Sequence, residues 1–290
     1  VSWDFIDSFF QSLSFTPTQS QLDVIREIAK DLNNTVPMAR LLQGEVGSGK
    51  TLVAVVSALA VIESNYKSAI MAPTEILAEQ HYISTLEMFD NVTKITPFHS
   101  KLKIKGLSKE ISIGLFLGSM PEKIKHEMKE SINEGVYDFL IGTHTLIQDN
   151  IKIPDLGLSI IDEQHRFGVL QRAAIKSTEK YYPHSLTMSA TPIPRTLALT
   201  AYGDLDLSEI NEMPFGERNV KTILISPDRI KAAYNHLNNE IHKGRQAIVI
   251  CPLIEESEKL NSSSAEEVYS NLQNNIFPDY NIGLLHGRLN

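Results

Sequence analysis

Residues Gly44 to Thr51 read G-E-V-G-S-G-K-T, and no other stretch limits so tightly what this chain can fold into. An apolar strand candidate, Ala39 to Leu42, precedes them, and Leu52 to Ile62, apolar and without a breaker, follows as a buried helix. Strand, glycine-rich turn and helix in that order aim successive backbone N–H groups and the positive end of a helix dipole at one point. Gly44, Gly47 and Gly49 permit the tight turn, and Glu45, Val46 and Ser48 add their own N–H groups. The run fits the phosphate-binding pattern G-x-x-x-x-G-K-[S/T] at every fixed position. Lys50 is therefore expected at the β- and γ-phosphates of ATP, with the Thr51 hydroxyl on Mg²⁺. The bland alternative is a glycine-serine turn into a core helix with Lys50 solvated.

Composition sets outer limits. The chain has 290 residues, 42% of them hydrophobic, which suits one large α/β domain or two smaller ones with a sizeable core. Cys251 is the single cysteine, so no internal disulfide forms, and no Cys/His cluster has zinc spacing. There is no basic start followed by a long apolar run and no bilayer-length apolar segment, so a reducing, cytoplasmic setting is expected. A net charge of −8 neither proposes nor excludes a nucleic-acid partner, because an acidic protein can carry a local basic groove. The chain starts at Val1 rather than methionine, and the expectation is a fragment.

In chain order, Trp3, Phe5, Ile6, Phe9 and Phe10 form an aromatic cluster, either a short helix docked on the body or the remnant of an upstream domain spanning 1–14. Thr16-Pro17-Thr18-Gln19 reads as a helix start capped by Thr16, with Leu22, Ile25, Ile28, Ala29 and Leu32 as its apolar stripe. Gln19 has two open roles, closing the capping box or reading the adenine edge. Ser68 to Met71 is a strand that turns through Ala72-Pro73-Thr74-Glu75 into a helix, and Thr74 suits both a cap and a phosphate contact. Strands are expected at Ile95 to His99 and Ile111 to Leu117, then a helix from Pro121 to Gly135. Lys101, Lys103, Lys105 and Lys109 read first as a solvated loop and second as a phosphate-facing patch.

Phe139 to Ile141 is a buried strand ending in Gly142-Thr143-His144-Thr145. Leu158 to Ile161 is another, and it delivers Asp162-Glu163-Gln164-His165. On a chain with a phosphate loop, an apolar strand ending in Asp-Glu is the second half of an ATP-hydrolysing site. Asp162 would hold Mg²⁺ through water, and Glu163 would orient and deprotonate the attacking water. Gln164 and His165 are placed on the nucleotide side. Leu186 to Met188 leads into Ser189-Ala190-Thr191-Pro192, whose hydroxyls either reach back to the acidic pair or close a local turn. Residues 204–219 look like a linker. A second alternation follows: strands Lys221 to Ile225, Gln246 to Cys251 and Ile282 to His286, with helices Arg229 to Lys243 and Ala265 to Asn274 between them.

The ordered set Gly44 to Thr51, M-A-P-T-E-I-L-A-E-Q-H (71–81), Gly142-Thr143-His144, D-E-Q-H-R-F-G (162–168), S-A-T-P-I-P-R-T (189–196) and T-A-Y-G-D-L-D (200–206) resembles the RecG family of bacterial superfamily 2 DNA translocases. The likeness runs from about Phe15 to the end. The transcription-repair coupling factors share H-R-F-G and T-P-I-P-R-T but carry Glu where this chain has Gln164. An RNA helicase is disfavoured by the run as a whole. The resemblance implies an α/β fold: one RecA-like ATP-binding lobe over 15–208, then linker and the incomplete start of a second RecA-like lobe over 209–290. It further implies an ATP-driven motor that regresses stalled forks and migrates Holliday junctions in recombination and repair. Lys50, Asp162 and Glu163 would be catalytic, Pro73, Thr74, Thr143 and His144 would contact branched DNA, and Ser189 with Thr191 would couple the two activities. Against the family pattern, the N-terminal wedge domain and the later motifs with the arginine finger are expected outside this chain, and 100–120 is longer than usual. The alternative function is an ATP-binding module without motor activity.

Overall fold

The computed structural model describes residues 3–107, 109–148, 151–162, 182–191, 205–214, 220–252 and 264–286. Glu163, Gln164, His165, the stretch from Pro192 to Asp204, Leu253 to Ser257 and Gly287-Arg288 lie outside them. The chain divides into two compact units, Val1–Arg218 and Asn219–Asn290. No described helix is long and apolar enough to cross a membrane.

The first unit is a RecA-like α/β layer structure built on one sheet. Its strands are β1 Ala39–Gly44, β2 Lys67–Met71, β3 Val92–Thr96, β4 His99–Leu102, β5 Ile111–Phe116, β6 Phe139–Gly142, β7 Leu156–Asp162, β8 His184–Ser189 and β9 Asp206–Ile210. Their spatial order is β3-β4-β5-β6-β2-β7-β8-β1-β9. From β5 to β9 all pairings are parallel, whereas β3 and β4 add an antiparallel hairpin at one edge. Every residue of β5 and β6 is buried, as expected for strands covered on both faces.

The helices are α1 Ile6–Ser12, α2 Gln19–Leu32, α3 Lys50–Glu63, α4 Glu75–Glu87, α5 Glu122–Asn133 and the single turn α6 Thr145–Gln148. Each residue from Leu52 to Ile62 of α3 is buried, which explains why that run is apolar on all sides. The aromatic cluster docks on the body: Phe5 and Phe9 are fully buried, and the Phe9 ring lies 5.7 Å from that of Phe89. Gly135, at φ 76°, follows the end of α5.

Three expectations need correction here. The helix start is two residues later than the Thr16 reading. Thr18 is the cap, its hydroxyl accepting from the Gln21 N–H at 3.3 Å while Gln21 Oε1 accepts from the Thr18 N–H at 2.9 Å. The strand expected over Ile95 to His99 is instead two strands, because Pro97-Phe98 forms the turn between β3 and β4. Within the supposed linker, Asp206–Ile210 is β9, paired in parallel with β1. Its buried Ser208 accepts from Arg40 of β1 at 2.7 Å, a polar partner inside the fold.

In the second unit the helices α7 Ile230–His242 and α8 Ala265–Asn271 form as expected. The three strands do not. No hydrogen-bonded ladder involves Lys221 to Ile225, Gln246 to Cys251 or Ile282 to His286. Leu224, Ile250 and Leu285 are consequently at least 89% exposed. Apolar segments of this kind become parallel strands only when neighbours satisfy both backbone edges and cover both faces. Here Gln246 to Cys251 and Ile282 to His286 border a cavity of about 880 Å³ with Leu237, Ile241 and Leu272.

Candidate nucleotide site and nucleic-acid face

The phosphate loop joins β1 to α3. Gly47 and Gly49 have φ of 89° and 85°, left-handed values that a side chain would strain. A Cβ at Gly49 would also fall 2.1 Å from Gln21 Nε2, and one at Gly44 would fall 2.6 Å from Ser48 Oγ. Lys50 Nζ donates to the carbonyls of Gly44 at 2.7 Å and Glu45 at 3.0 Å, folded over the loop. Ser48 Oγ is buried and has no hydrogen-bond partner among the described residues. A cradle of left-handed glycines, an ammonium held by carbonyls and an unsatisfied buried hydroxyl together fit a polyphosphate.

Of the two roles open to Gln19, the capping box belongs instead to Gln21, whose side chain also reaches the loop. Gln19 is exposed and donates to Asp23 at 2.8 Å. Gln21 is buried and donates through Nε2 to the Ser48 carbonyl at 2.8 Å. Thr16…Gln19 and Thr18…Gln21 share the T-x-x-Q spacing of a capping box, so the pattern offers both registers and the structure adopts the second.

The sheet sets the remaining groups level with this loop. Gln43, the last residue but one of β1, is in register with Ser189 of β8, and Asp162 of β7 is in register with Met188. Ser189 thus sits laterally between the loop and Asp162. Its hydroxyl is 3.0 Å from that of Thr191 and accepts from the Thr191 N–H at 3.2 Å, which is the local turn reading. The partner of Asp162 among the described residues is one that the sequence did not suggest. His81 Nε2 lies 2.6 Å from Asp162 Oδ2, and both side chains are nearly buried. An ionised carboxylate only accepts, so the imidazole Nε2–H donates.

Three neighbouring strands, β5, β6 and β2, end on a second face. At β2, Thr74 caps α4 by accepting from the Leu77 N–H at 3.3 Å, beside Pro73. At β5, the Ser119 N–H donates to Glu75 Oε1 at 2.8 Å. The Ser119 hydroxyl and the amides of Ser119 and Gly118 outweigh burial and hold the Glu75 carboxyl below its ordinary pKa, with His144 adding to the effect. At β6, His144 is exposed but Thr143 is only 2% exposed. The Thr143 hydroxyl lies 3.0 Å from that of Thr145 and supports the turn. Of the four lysines, Lys101 pairs with Glu110 at 3.4 Å and Lys109 with Asp138 at 3.0 Å, while Lys103 and Lys105 are exposed.

Residues 16–200 match the family model of the DEAD/DEAH box helicases. The chain belongs to that family. It is 46% identical over its whole length to the ATP-dependent DNA helicase RecG of Aquifex aeolicus, covering 34% of that protein. Against RecG of Bacillus subtilis it is 42% identical over 97% of its length, covering 39% of that protein. The chain thus spans a third to two fifths of the curated relatives it matches. A solved structure of RecG bound to a three-way DNA junction superposes with a TM-score of 0.71 at 39% identity, over 92% of this chain and 32% of that one. The DEAD-box helicase Mss116, bound to single-stranded RNA and UDP-BeF, superposes with a TM-score of 0.67 at 18% identity over 100% of this chain and 59% of that one, a likeness of fold.

Proposed function

We propose that this chain is the ATP-driven motor segment of a RecG-type DNA helicase that remodels branched DNA. The observation that carries the reading is the phosphate cradle lying level with Asp162 across β8, in a chain 46% identical to a RecG helicase. ATP is the substrate, and Thr51 and Asp162 are the residues that would hold Mg²⁺, which screens the phosphate charge when bound. Lys50 leaves the Gly44 and Glu45 carbonyls for phosphate oxygens. Glu163, next in sequence to Asp162, orients the attacking water and takes its proton. The exposed ends of β2, β5 and β6, with Pro73-Thr74, Ser119 and His144, meet the DNA backbone, so recognition depends on shape rather than base sequence. Ser189 and Thr191, at the end of β8 between the phosphate loop and Asp162, couple hydrolysis to that grip.

The test is ATP hydrolysis by this chain with and without a three-way DNA junction, with Lys50→Ala as the blank. Junction-stimulated turnover supports the motor reading. One observation favours a second reading, a nucleotide-binding module without motor activity: the second unit has no paired strands among its described residues. Tight ATP binding without stimulated turnover would select it.

A further inference from the structure

We propose that His81 is the positioning residue for Asp162, and that through it helix α4 links the nucleic-acid face to the metal-binding carboxylate. The inference rests on the nucleotide-site reading above. His81 lies in the second turn of α4, the helix whose first residues, capped by Thr74, face the second cluster. Its Nε2–H holds Asp162 Oδ2 at 2.6 Å, so Oδ1 is the oxygen that would be left for a metal or its water. The pair is 81 residues apart in sequence and buried between elements.

Desolvating such a pair brings little net stability, and an apolar pair of similar volume would serve packing as well or better. What the hydrogen bond does supply is direction. A carboxylate on a strand end can rotate about its Cα–Cβ and Cβ–Cγ bonds, and a donor fixed on a second element removes that freedom, as partners behind a metal ligand commonly do. The helix carrying the donor is braced at its other end by Ser119 on Glu75, so displacement of α4 by a strand of DNA is transmitted to the carboxylate. By linkage, Mg²⁺–nucleotide and DNA then alter one another's affinity by the same factor.

The experiment uses the 290-residue chain and two binding measurements. Calorimetry gives ADP affinity in Mg²⁺ and in EDTA, and anisotropy gives the affinity for a labelled three-way junction with and without Mg²⁺–AMP-PNP. His81→Leu is expected to keep ADP affinity in EDTA within about twofold of wild type and to lose roughly tenfold or more of the gain that Mg²⁺ confers. His81→Gln, whose amide Nε2 can donate from a similar reach, is expected to keep that gain. Equal Mg²⁺ gains in wild type and His81→Leu overturn the proposal. Should the leucine variant not fold, His81→Asn replaces it, since its shorter amide cannot reach; equal gains in the Gln and Asn variants overturn the proposal as well. A reduced Mg²⁺ gain with unchanged junction coupling keeps the positioning role and overturns the route through α4. Failure of the wild-type chain to bind ADP at all would overturn the phosphate-loop reading and this inference with it, an outcome distinct from binding with an unaltered Mg²⁺ gain.

Discussion

Lys50 spends the nucleotide-free state folded on two carbonyls of its own loop, so its contribution to binding is an exchange of those acceptors for charged phosphate oxygens. Hydrogen bonds to charged groups contribute about 1.5–3 kcal/mol each. Lys50→Ala should accordingly weaken ATP binding by roughly 10- to 100-fold in calorimetry, and unchanged affinity would remove the lysine from the site. Gln21 acts differently, because it closes the cap of α2 and holds the Ser48 carbonyl at once. Gln21→Ala should lower both thermal stability and nucleotide affinity, while Gln19→Ala should change neither, a contrast read by melting and calorimetry on the same samples. The loop itself was legible because its residue types are forced: left-handed φ at Gly47 and Gly49, and one lysine in reach of phosphate. Gln21 was half-legible, since Thr16 and Thr18, two residues apart, offered two cap registers. His81 was not, because its importance lies in a contact with Asp162 across 81 residues and no local pattern encodes that.

At the level of elements, the edge of the sheet depends on one buried cation. Arg40 on β1 reaches Asp31 on α2 at 2.7 Å and Ser208 on β9 at 2.7 Å, with Glu27 at 3.3 Å. Truncating it leaves the nearly buried Asp31 carboxylate without its partner, and breaking a buried pair in this way costs about 3–5 kcal/mol. Arg40→Ala should therefore lower the urea midpoint sharply and expose the β9 amides first in hydrogen exchange. This network also explains why β9 escaped detection. Asp206, Ser208 and Glu209 give the segment the composition of a loop, and its pairing becomes intelligible only once Arg40 is known to be buried beside it. A second element-level link joins the starts of β1 and β8, where His184 Nδ1 accepts from the Met38 N–H at 2.9 Å. Burial holds the His184 pKa below its ordinary value, and the accepting nitrogen must be unprotonated. For a folded-state pKa below the unfolded one, the unfolded chain binds more protons in the interval between them. Stability from this residue is thus complete above about 6.5, the ordinary histidine value, and is lost as pH falls from there toward the depressed folded value. Urea midpoints at pH 8 and pH 5.5 should fall more for wild type than for His184→Asn, whose amide oxygen can accept without titrating.

For the whole molecule, the first unit carries a nine-stranded sheet, parallel from β5 to β9, with both clusters at the carboxyl ends of its parallel strands, the place where open α/β sheets put their ligands. That arrangement could be read in advance from apolar runs punctuated by Thr, Asp and Ser, because every such run is paired and covered. The second unit carries similar runs, yet Leu224, Ile250 and Leu285 remain exposed, since periodicity reports what a segment can do only when neighbours are present. DNA binding by the proposed motor should reflect this division of labour. The face at β2, β5 and β6 presents a capped helix start, backbone amides and His144. If each of the three strand ends engages one phosphate, log affinity should fall with log salt at a slope of about −2 to −3, and tripling the salt should weaken junction binding roughly 10- to 20-fold. Two junctions of unrelated sequence should give superimposable salt curves by fluorescence anisotropy. Curves that separate by sequence would place base-reading groups on this face, and a slope near zero would remove the phosphate backbone as its ligand.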